Sequence, residues 1–276
     1  MMYSSLYIIG NGFDRAHGMP TGYGHFKRWL IESNRYDVTQ ELQSAYPIKK
    51  DDEYLLWSEF EKSLGEYDID TVINWSWENI FLTVAPLGNM VFNKGRIDTQ
   101  LPDIIEKVFT KWVQSIQISD TQVFDLKWDS LFFTFNYTDI LEQLYQIPEH
   151  QVFHIHGNAS KGDKLIVGHN REIDVGAYYD ENLCVRENNE RVQRLADMNS
   201  LRKPYQELIE QNETFFNSLG SVEEVFVIGH SCAPVDYPYF HKIRDFVARD
   251  AKWHINTHSE EDIIRRDAIK KELGIL

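Results

Sequence analysis

The sequence predicts an α/β fold in which helices cover both faces of a parallel β-sheet. Short, predominantly apolar runs alternate along the chain with segments of helical periodicity, which is the pattern of strands buried on both faces. These runs occupy residues 6–9, 131–135, 152–155, 165–167, 225–228 and 253–255. Each run is followed directly by glycine, asparagine or histidine. Because ligands of parallel sheets bind at the carboxyl ends of the strands, these positions predict where a functional site lies.

Helices are predicted between the runs. The first combines Phe26, Trp29 and Leu30 at helical spacing, and the last follows Ser259, a residue type that favours helix N-caps. The predicted helices cover residues 23–33, a segment around 140–144, a long polar region at 186–219, and residues 239–248 and 260–273.

Residues 37–124 have a different character. Three apolar stripes at helical spacing occur there, within residues 55–64, 72–84 and 104–116, and no convincing strand interrupts them. The many aromatic residues in this segment are those expected of helices that pack on one another. We therefore expect an all-helical insertion at 37–124 within an α/β domain made of residues 1–36 and 125–276.

The composition limits the classes of function. With 276 residues, of which 42% are hydrophobic, the chain can bury a sizeable core. No apolar run approaches the roughly 18–20 residues that cross a bilayer, so we expect no membrane segment. Residues 1–5 lack a basic n-region, so the first run is expected to be a strand and not a signal peptide. The net charge of −15 argues against a broad nucleic-acid surface.

The chain has two cysteines, Cys184 and Cys232, which are far apart in the sequence. This excludes a disulfide framework and a cysteine-based zinc module. A reducing cytoplasm is the expected setting.

The first strand ends at Gly10-Asn11-Gly12. Such a turn lets a ligand approach bare backbone amides. The dinucleotide fingerprint needs a third glycine three residues after the second, and Arg15 stands there instead. Alone, this motif fits a tight strand-to-helix turn as well as it fits a phosphate loop.

His156 and Asn136 are the best candidates for chemistry. His156 follows a strand and precedes Gly157, so a ligand could approach it, and imidazole exchanges protons near neutral pH. Asn136 offers both a donor and an acceptor at the end of another strand. Ser231 lacks the surroundings of a nucleophilic serine, so a contact to phosphate or ribose suits it better. The simpler alternatives are a loop-bonded histidine and an Asx turn.

A metal site is a further alternative. The histidines that could form it are His154, His156, His169, His230 and His258. Paired histidines on a helix are missing, and acidic residues are absent from the same strand ends except for Asp14, so we favour a site without metal.

The motifs at the strand ends resemble a known family. Five motifs each resemble a segment of sirtuin-like NAD-consuming enzymes, and they occur in the same order. They are Gly10-Asn11-Gly12-Phe13-Asp14, the segment beginning at Asn136-Tyr137-Thr138, His156-Gly157, Gly229-His230-Ser231 and Ile255-Asn256. The combination of Gly-Asn-Gly-Phe-Asp, Phe-Asn-Tyr-Thr, His-Ile-His-Gly and Ile-Gly-His-Ser is similar to the AbiH family of bacteriophage abortive-infection proteins.

The resemblance implies a sirtuin-like nucleotide-binding core, a cytoplasmic role in phage defence, and NAD or a related adenine nucleotide as ligand. It implies that Asn136 lies near the nicotinamide ribose and that His156 is the base on a ribose hydroxyl. The remaining residues that it assigns to the nucleotide are Gly10, Asn11, Gly12, Phe13, Asp14, Thr138, Gly229, His230, Ser231 and Asn256.

Three departures from the sirtuin pattern bear on activity. The two cysteines cannot build the four-cysteine zinc module of the deacetylases, so neither zinc nor protein deacetylation is expected. Thr138 stands where the pattern has an aspartate that helps to hold the carboxamide. Asp14 stands where the pattern has serine, which brings a carboxylate close to the expected phosphates and requires compensation.

Our first functional hypothesis is hydrolysis of the N-glycosidic bond of NAD or a similar nucleotide, an NAD glycohydrolase activity that would halt an infected cell. The second is a nucleotide-binding sensor or interaction module without turnover, whose helical insertion binds a phage or host protein trigger. The third is a metal-dependent hydrolase or nuclease built on the histidines. Self-association into a homo-oligomer and the exact nucleotide are left open.

Overall fold

A computed structural model of the chain describes residues 3–36, 38–39, 60–65 and 101–275. Within these residues the structure contains a five-stranded sheet with the strand order β3-β2-β1-β4-β5, and all pairs of neighbouring strands are parallel. The strands are β1 (Ser5–Ile9), β2 (Leu131–Thr134), β3 (Val152–His154), β4 (Glu224–Ile228) and β5 (Lys252–Ile255). The predicted α/β class with a parallel sheet is confirmed.

Helices lie between the strands in the sequence. They are α1 (Asn11–Ala16), α2 (Tyr23–Glu32), α3 (Phe60–Ser63), α4 (Leu101–Gln114), α5 (Ile140–Gln143), α6 (Val185–Asn199), α7 (Tyr205–Gln211), α8 (Glu213–Asn217), α9 (Tyr237–Phe246) and α10 (Glu260–Glu272). The long polar region predicted to be helical is divided into α6, α7 and α8. Pro204 precedes α7, and a proline disfavours the helical conformation of the residue before it.

Both faces of the sheet are buried at its centre, which explains why β1 and β2 are almost entirely apolar. Along β1, Leu6 and Ile8 belong to one core cluster, in which α8, α9 and α10 also take part. Tyr7 and Ile9 point to the opposite face, in a second cluster that includes residues of α1 and α5. Alternate residues of a strand face opposite sides, so a strand covered on both sides loses its polar positions.

Four aromatic rings form a row across the second face of the sheet, one from each of four neighbouring strands. Tyr7 on β1 stacks on Phe132 of β2 at 5.1 Å and on Phe226 of β4 at 4.9 Å. Phe226 stacks in turn on His254 of β5 at 4.8 Å. The paired residues are those that the parallel register places side by side. We call these four residues the ring row.

The last helix begins as predicted. The Ser259 hydroxyl accepts a hydrogen bond from the Asp262 amide, and the Asp262 carboxylate accepts one from the Ser259 amide. This reciprocal capping box satisfies two amide groups that the first turn of a helix leaves without partners.

The strand predicted at residues 165–167 is wrong. Leu165 and Val167 are buried, but these residues belong to no strand. The Ile166 amide forms one hydrogen bond, to the His156 carbonyl at 3.0 Å. Burial alone produces an apolar run, whereas a strand also requires a continuous ladder of bonds to a neighbour.

The chain forms two compact units. The first consists of Met1–His25, Phe109–Ile166 and Pro204–Leu276 and contains the whole sheet. The second consists of Phe26–Val108 and Val167–Lys203. Within the second unit, the buried Lys203 ammonium pairs with Glu61 at 2.9 Å.

The helical insertion predicted at 37–124 stays a prediction. The parts of it that are described include α3 and α4. Of its three predicted stripes, the one at 72–84 lies outside the described residues and the one at 55–64 lies half outside them. None of the helices in the described part of the chain is long and apolar enough to span a membrane.

Candidate functional site

The carboxyl ends of all five strands lie at one edge of the sheet, because the strands are parallel. The strand order reverses between β1 and β4, since the chain first builds β2 and β3 on one side of β1 and then β4 and β5 on the other. Such a reversal is where open α/β sheets place their ligands. The turns after β1 and β4 meet at this position.

These two turns pack so closely that glycine is required in both. The Gly12 amide donates to the Gly229 carbonyl at 2.7 Å. Gly229 has a φ of +66°, and a Cβ atom there would lie 2.1 Å from the Phe13 nitrogen. A Cβ on Gly10 would lie 2.5 Å from the His230 Cα. The close approach of the two turns therefore accounts for these glycines without a ligand, and it occupies the Gly12 amide.

Helix α1 places Asn11 and Phe13 in different environments. The Asn11 side chain donates to the Thr21 carbonyl at 3.0 Å and so ties α1 to the segment before α2. The Phe13 ring is fully buried and stacks on Phe124 at 5.0 Å. Phe13 thus faces the core in this structure.

A second polar contact at α1 was not anticipated from the sequence. His17 Nδ1 lies 2.7 Å from the Phe13 carbonyl, so this nitrogen donates, and Nε2 lies 2.7 Å from the Tyr145 hydroxyl and accepts from it. The Tyr145 oxygen also accepts from the amides of Val123 and Phe124 at 3.1 and 3.0 Å. These hydrogen bonds of His17 and Tyr145 connect the end of α1 to the loop that precedes β2.

Asp14 is the centre of the polar contacts at the ends of β1 and β2. It is 1% exposed. Its Oδ1 accepts from Asn136 Nδ2 at 2.5 Å, and its Oδ2 lies 2.7 Å from the Thr138 hydroxyl. Burial raises the pKa of Asp14 to about 7, although the hydrogen bonds from Thr138 and Asn136 and the charge of His154 act to lower it.

Asn136 is held in one orientation. Its Nδ2 donates to the Gly10 carbonyl at 3.2 Å as well as to Asp14. Both neighbours are acceptors, so the amide nitrogen must face them and Oδ1 must point the other way. Oδ1 is buried and accepts no hydrogen bond from the described residues.

His154 and Glu142 extend this network toward β3. His154 Nδ1 lies 3.1 Å from the Asn136 carbonyl, and Nε2 lies 3.0 Å from Glu142 Oε1. The Asn158 amide also approaches Nε2, at 3.3 Å. Sequence reasoning missed Glu142 and Asn158 as site residues. Glu142 belongs to the segment that resembles the sirtuin pattern, and that was the available signal.

His156 lies among aromatic rings and is 2% exposed. Its ring is 5.5 Å from Phe135, 6.2 Å from Tyr137 and 5.8 Å from Tyr239, measured between ring centroids. The Phe135 ring also contacts His230, at 4.3 Å. His156 and His230 therefore flank the same phenylalanine.

His230 belongs to a strained turn after β4, in which Cys232 has a φ of +50°. His230 Nε2 lies 3.4 Å from Asp236 Oδ2. Burial lowers the pKa of His230, but hydrogen bonds to Asp236 and Cys232 outweigh it and raise the pKa to about 9. The Cys232 backbone amide donates to Nδ1 at 2.9 Å, and this contact holds the His230 ring in the turn.

The structure does not bring every predicted site residue into these contacts. Ser231 and Asn256 are exposed at the ends of β4 and β5. The Asn256 amide continues the sheet by donating to the Val227 carbonyl at 3.0 Å. Among the described residues, no group of three or more His, Cys, Asp or Glu side chains has the arrangement of a metal site.

The family model described as bacteriophage abortive infection AbiH matches residues 6–257. The match extends from β1 to just beyond β5 and includes every residue of the contacts described above. No curated protein and no solved structure matches the chain. The chain belongs to the AbiH family of bacteriophage abortive infection proteins.

Proposed function

We propose that the protein binds NAD or a related adenine nucleotide at the carboxyl edge of its sheet and hydrolyses the N-glycosidic bond to nicotinamide. Membership of the AbiH family implies a role in phage abortive infection, and removal of a central cofactor is one chemical means of stopping an infected cell. The observation that carries the proposal is the fixed Asn136 amide, whose buried Oδ1 accepts no hydrogen bond from the described residues.

A buried acceptor without a donor costs about 1–3 kcal/mol. A ligand that supplies a donor recovers this free energy, and both a ribose hydroxyl and a primary carboxamide can do so. The nicotinamide riboside part of NAD contains both groups. Asn136 is therefore suited to hold that part of the nucleotide beside Gly10 and Asp14.

The contact between Asp14 and Thr138 supports the same assignment. Thr138 stands where the sirtuin pattern has an aspartate, and Asp14 is the unexpected carboxylate on α1. The Asp14 carboxyl lies 2.7 Å from the Thr138 hydroxyl. We call the place where Asp14, Asn136 and Thr138 meet the Asp14 corner. A carboxyl group is present at this corner, although it comes from the segment after β1 and not from the segment after β2. Asp14 thus supplies the carboxyl group that Thr138 lacks.

In the proposed reaction the bond between the ribose C1′ and the ring nitrogen breaks, and its electron pair neutralises the pyridinium ring. Positive charge develops on the ribose, and a water molecule adds to C1′ and loses a proton. Asn136 would orient the ribose, and the ionised form of Asp14 would favour the developing positive charge. His156 would take the proton from a ribose hydroxyl or from water. Ser231 and Asn256, exposed at the same edge, would contact the phosphates and the adenosine ribose.

The test is to incubate the purified protein with NAD and to measure free nicotinamide, for the wild type and for His156→Ala and Asn136→Ala. His241→Ala is the control, because His241 is an exposed surface residue paired with Glu272. Binding of NAD is measured separately by calorimetry. We expect release by the wild type and the control, and a loss of at least about 100-fold in the two site variants. Absence of NAD binding by the wild type would refute the proposal.

A nucleotide sensor without turnover is the second candidate, and the surroundings of His156 favour it. The ring is 2% exposed and lies between Phe135, Tyr137 and Tyr239, so the side chains must rearrange before it can reach a water molecule. NAD binding by the wild type without nicotinamide release, also in the presence of phage proteins, would support this candidate over the enzyme.

A further inference from the structure

Asp14 is buried, and neutral side chains form its hydrogen bonds among the described residues. Its two carboxylate oxygens contact neutral groups, the Asn136 amide and the Thr138 hydroxyl, and no lysine or arginine among the described residues forms an ion pair with it. A carboxylate in this environment loses the solvation that favours its charge, and two neutral hydrogen bonds replace it only in part. Burial and these two hydrogen bonds therefore act in opposite directions on the charge of Asp14.

The geometry determines which oxygen receives the proton. Asn136 Nδ2 can only donate, so Asp14 Oδ1 must accept from it whether Asp14 is charged or neutral. Oδ2 faces the Thr138 hydroxyl, which can donate or accept. Protonation therefore occurs at Oδ2.

We propose that Asp14 is a positioning residue whose proton sets the direction of its hydrogen bond with Thr138, and thereby whether Thr138 offers the ligand an acceptor or a donor. When Asp14 is ionised, the Thr138 hydroxyl donates to Oδ2 and only its lone pairs are available to a ligand. When Asp14 is protonated, Oδ2 donates to Thr138, and the threonine hydrogen turns toward another acceptor. Asn136 keeps its orientation in both states, because its bonds to Gly10 and Oδ1 do not change.

This inference rests on the proposed nucleotide function for the identity of the ligand. In the protonated state the corner presents one acceptor, Asn136 Oδ1, and one donor, the Thr138 hydroxyl. A primary carboxamide has the complementary pair, an N–H donor and a carbonyl acceptor. We therefore expect the protonated state to bind a nicotinamide nucleotide more tightly than the ionised state.

Other titratable groups surround this corner. Those on the elements packed against Asp14, among the residues described, are Arg15 and His17 on α1, Glu142 on α5, His154 on β3, and His230 and Asp236 after β4. Arg15 is exposed, and His17 is bonded to Phe13 and Tyr145. His154 is the group whose charge lowers the pKa of Asp14. A pH dependence therefore has to be assigned to Asp14 by substitution.

The first part of the experiment follows the Asp14 carboxyl directly, by carbon-13 NMR of protein labelled at aspartate, with Asp14→Asn to assign the signal. We expect titration near pH 7. In Thr138→Val the titration should move to higher pH, because the hydrogen bond that favours the ionised form is lost. Thr138→Ser retains the hydroxyl and should leave the titration in place.

The second part measures NAD binding by calorimetry at pH 6 and pH 8. Loss of one hydrogen bond predicts binding about threefold to tenfold weaker at pH 8 for the wild type and Thr138→Ser. Asp14→Asn fixes the protonated pattern, because its amide nitrogen donates permanently to Thr138, so its binding should stay at the pH 6 level. Thr138→Val has no hydroxyl to reorient and should also show no dependence.

The two parts separate the possible failures. Titration of Asp14 at its ordinary acidic pH, or a Thr138→Val titration identical to the wild type, would overturn the inference whatever NAD does. Binding of NAD with the same pH dependence in Asp14→Asn as in the wild type would also overturn it. Normal titrations without NAD binding at any pH would refute the proposed nucleotide function while supporting the hydrogen-bond switch.

Discussion

Replacing Asp14 with asparagine should change how the stability of the protein depends on pH. Folding raises the pKa of Asp14 from 3.8 to about 7, so the folded state holds this proton more tightly than the unfolded state. The ionised carboxylate therefore costs stability. The cost is absent below the unfolded pKa, increases as the pH rises from about 4 to 7, and is complete above 7.

The magnitude follows from the size of the shift. One pKa unit corresponds to about 1.36 kcal/mol, so a shift of roughly three units costs about 4 kcal/mol when Asp14 is fully ionised. Between pH 5 and pH 8 the free energy of unfolding of the wild type should fall by about 2–3 kcal/mol because of this group. Asparagine cannot ionise, and it can keep both hydrogen bonds, with its oxygen accepting from Asn136 and its nitrogen donating to Thr138. The free energy of unfolding of the variant, relative to that of the wild type, should therefore be about 2–3 kcal/mol higher at pH 8 than at pH 5.

Urea unfolding followed by tryptophan fluorescence at pH 5 and pH 8 measures this difference. Asp250→Asn is a suitable control, because Asp250 is exposed and its replacement should leave the pH dependence of the wild type unchanged. If the stability difference between Asp14→Asn and the wild type is the same at both pH values, the ionisation of Asp14 in the folded protein is not perturbed and the reasoning is refuted.

Substitutions at three further positions are tested by urea unfolding at one pH, which measures the loss in free energy of unfolding. Gly229→Ala should cost about 2–5 kcal/mol, because the residue has a positive φ and its Cβ would meet the Phe13 nitrogen at 2.1 Å; a loss below 1 kcal/mol would contradict this. Tyr145→Phe should cost about 1–3 kcal/mol, since it removes the hydroxyl that bonds His17, and an unchanged midpoint would show that water replaces it. Ser259→Ala should cost about 0.5–2 kcal/mol through the lost N-cap, whereas Ser259→Asp, which keeps an acceptor, should not.

The sheet could be predicted from the sequence because its central strands are buried on both sides. Residues 6–9 and 225–228 are apolar throughout, and each falls within a strand of the structure. The same signal produced the one wrong strand, at residues 165–167, since an apolar run reports burial and contains no information about a hydrogen-bonding neighbour. Tertiary contacts decide between the two cases.

The candidate site was predictable in its location and not in its contacts. A parallel sheet brings the residues after its strands to one edge, so Asp14 and Asn136 meet although 122 positions separate them. The partner of each oxygen depends on side-chain directions that no sequence pattern specifies. The pairing of Asp14 with Thr138 and of His154 with Glu142 therefore became visible only in the structure. The close contact between Gly12 and Gly229 was likewise not predictable, because it depends on the positions of the turns after β1 and β4 relative to each other.

The ring row has a consequence for how the sheet assembles. The row takes one ring from each of four strands that are separated in the sequence: Phe132, Tyr7, Phe226 and His254. A slip of one strand by a single residue would turn its ring to the opposite face and break its stacking on the neighbouring rings of the row. The ring row therefore favours the correct register of the strands. A strand in the wrong register also fails to place its carboxyl end beside the others. Correct stacking on one face of the sheet and a complete site at its edge are therefore achieved together.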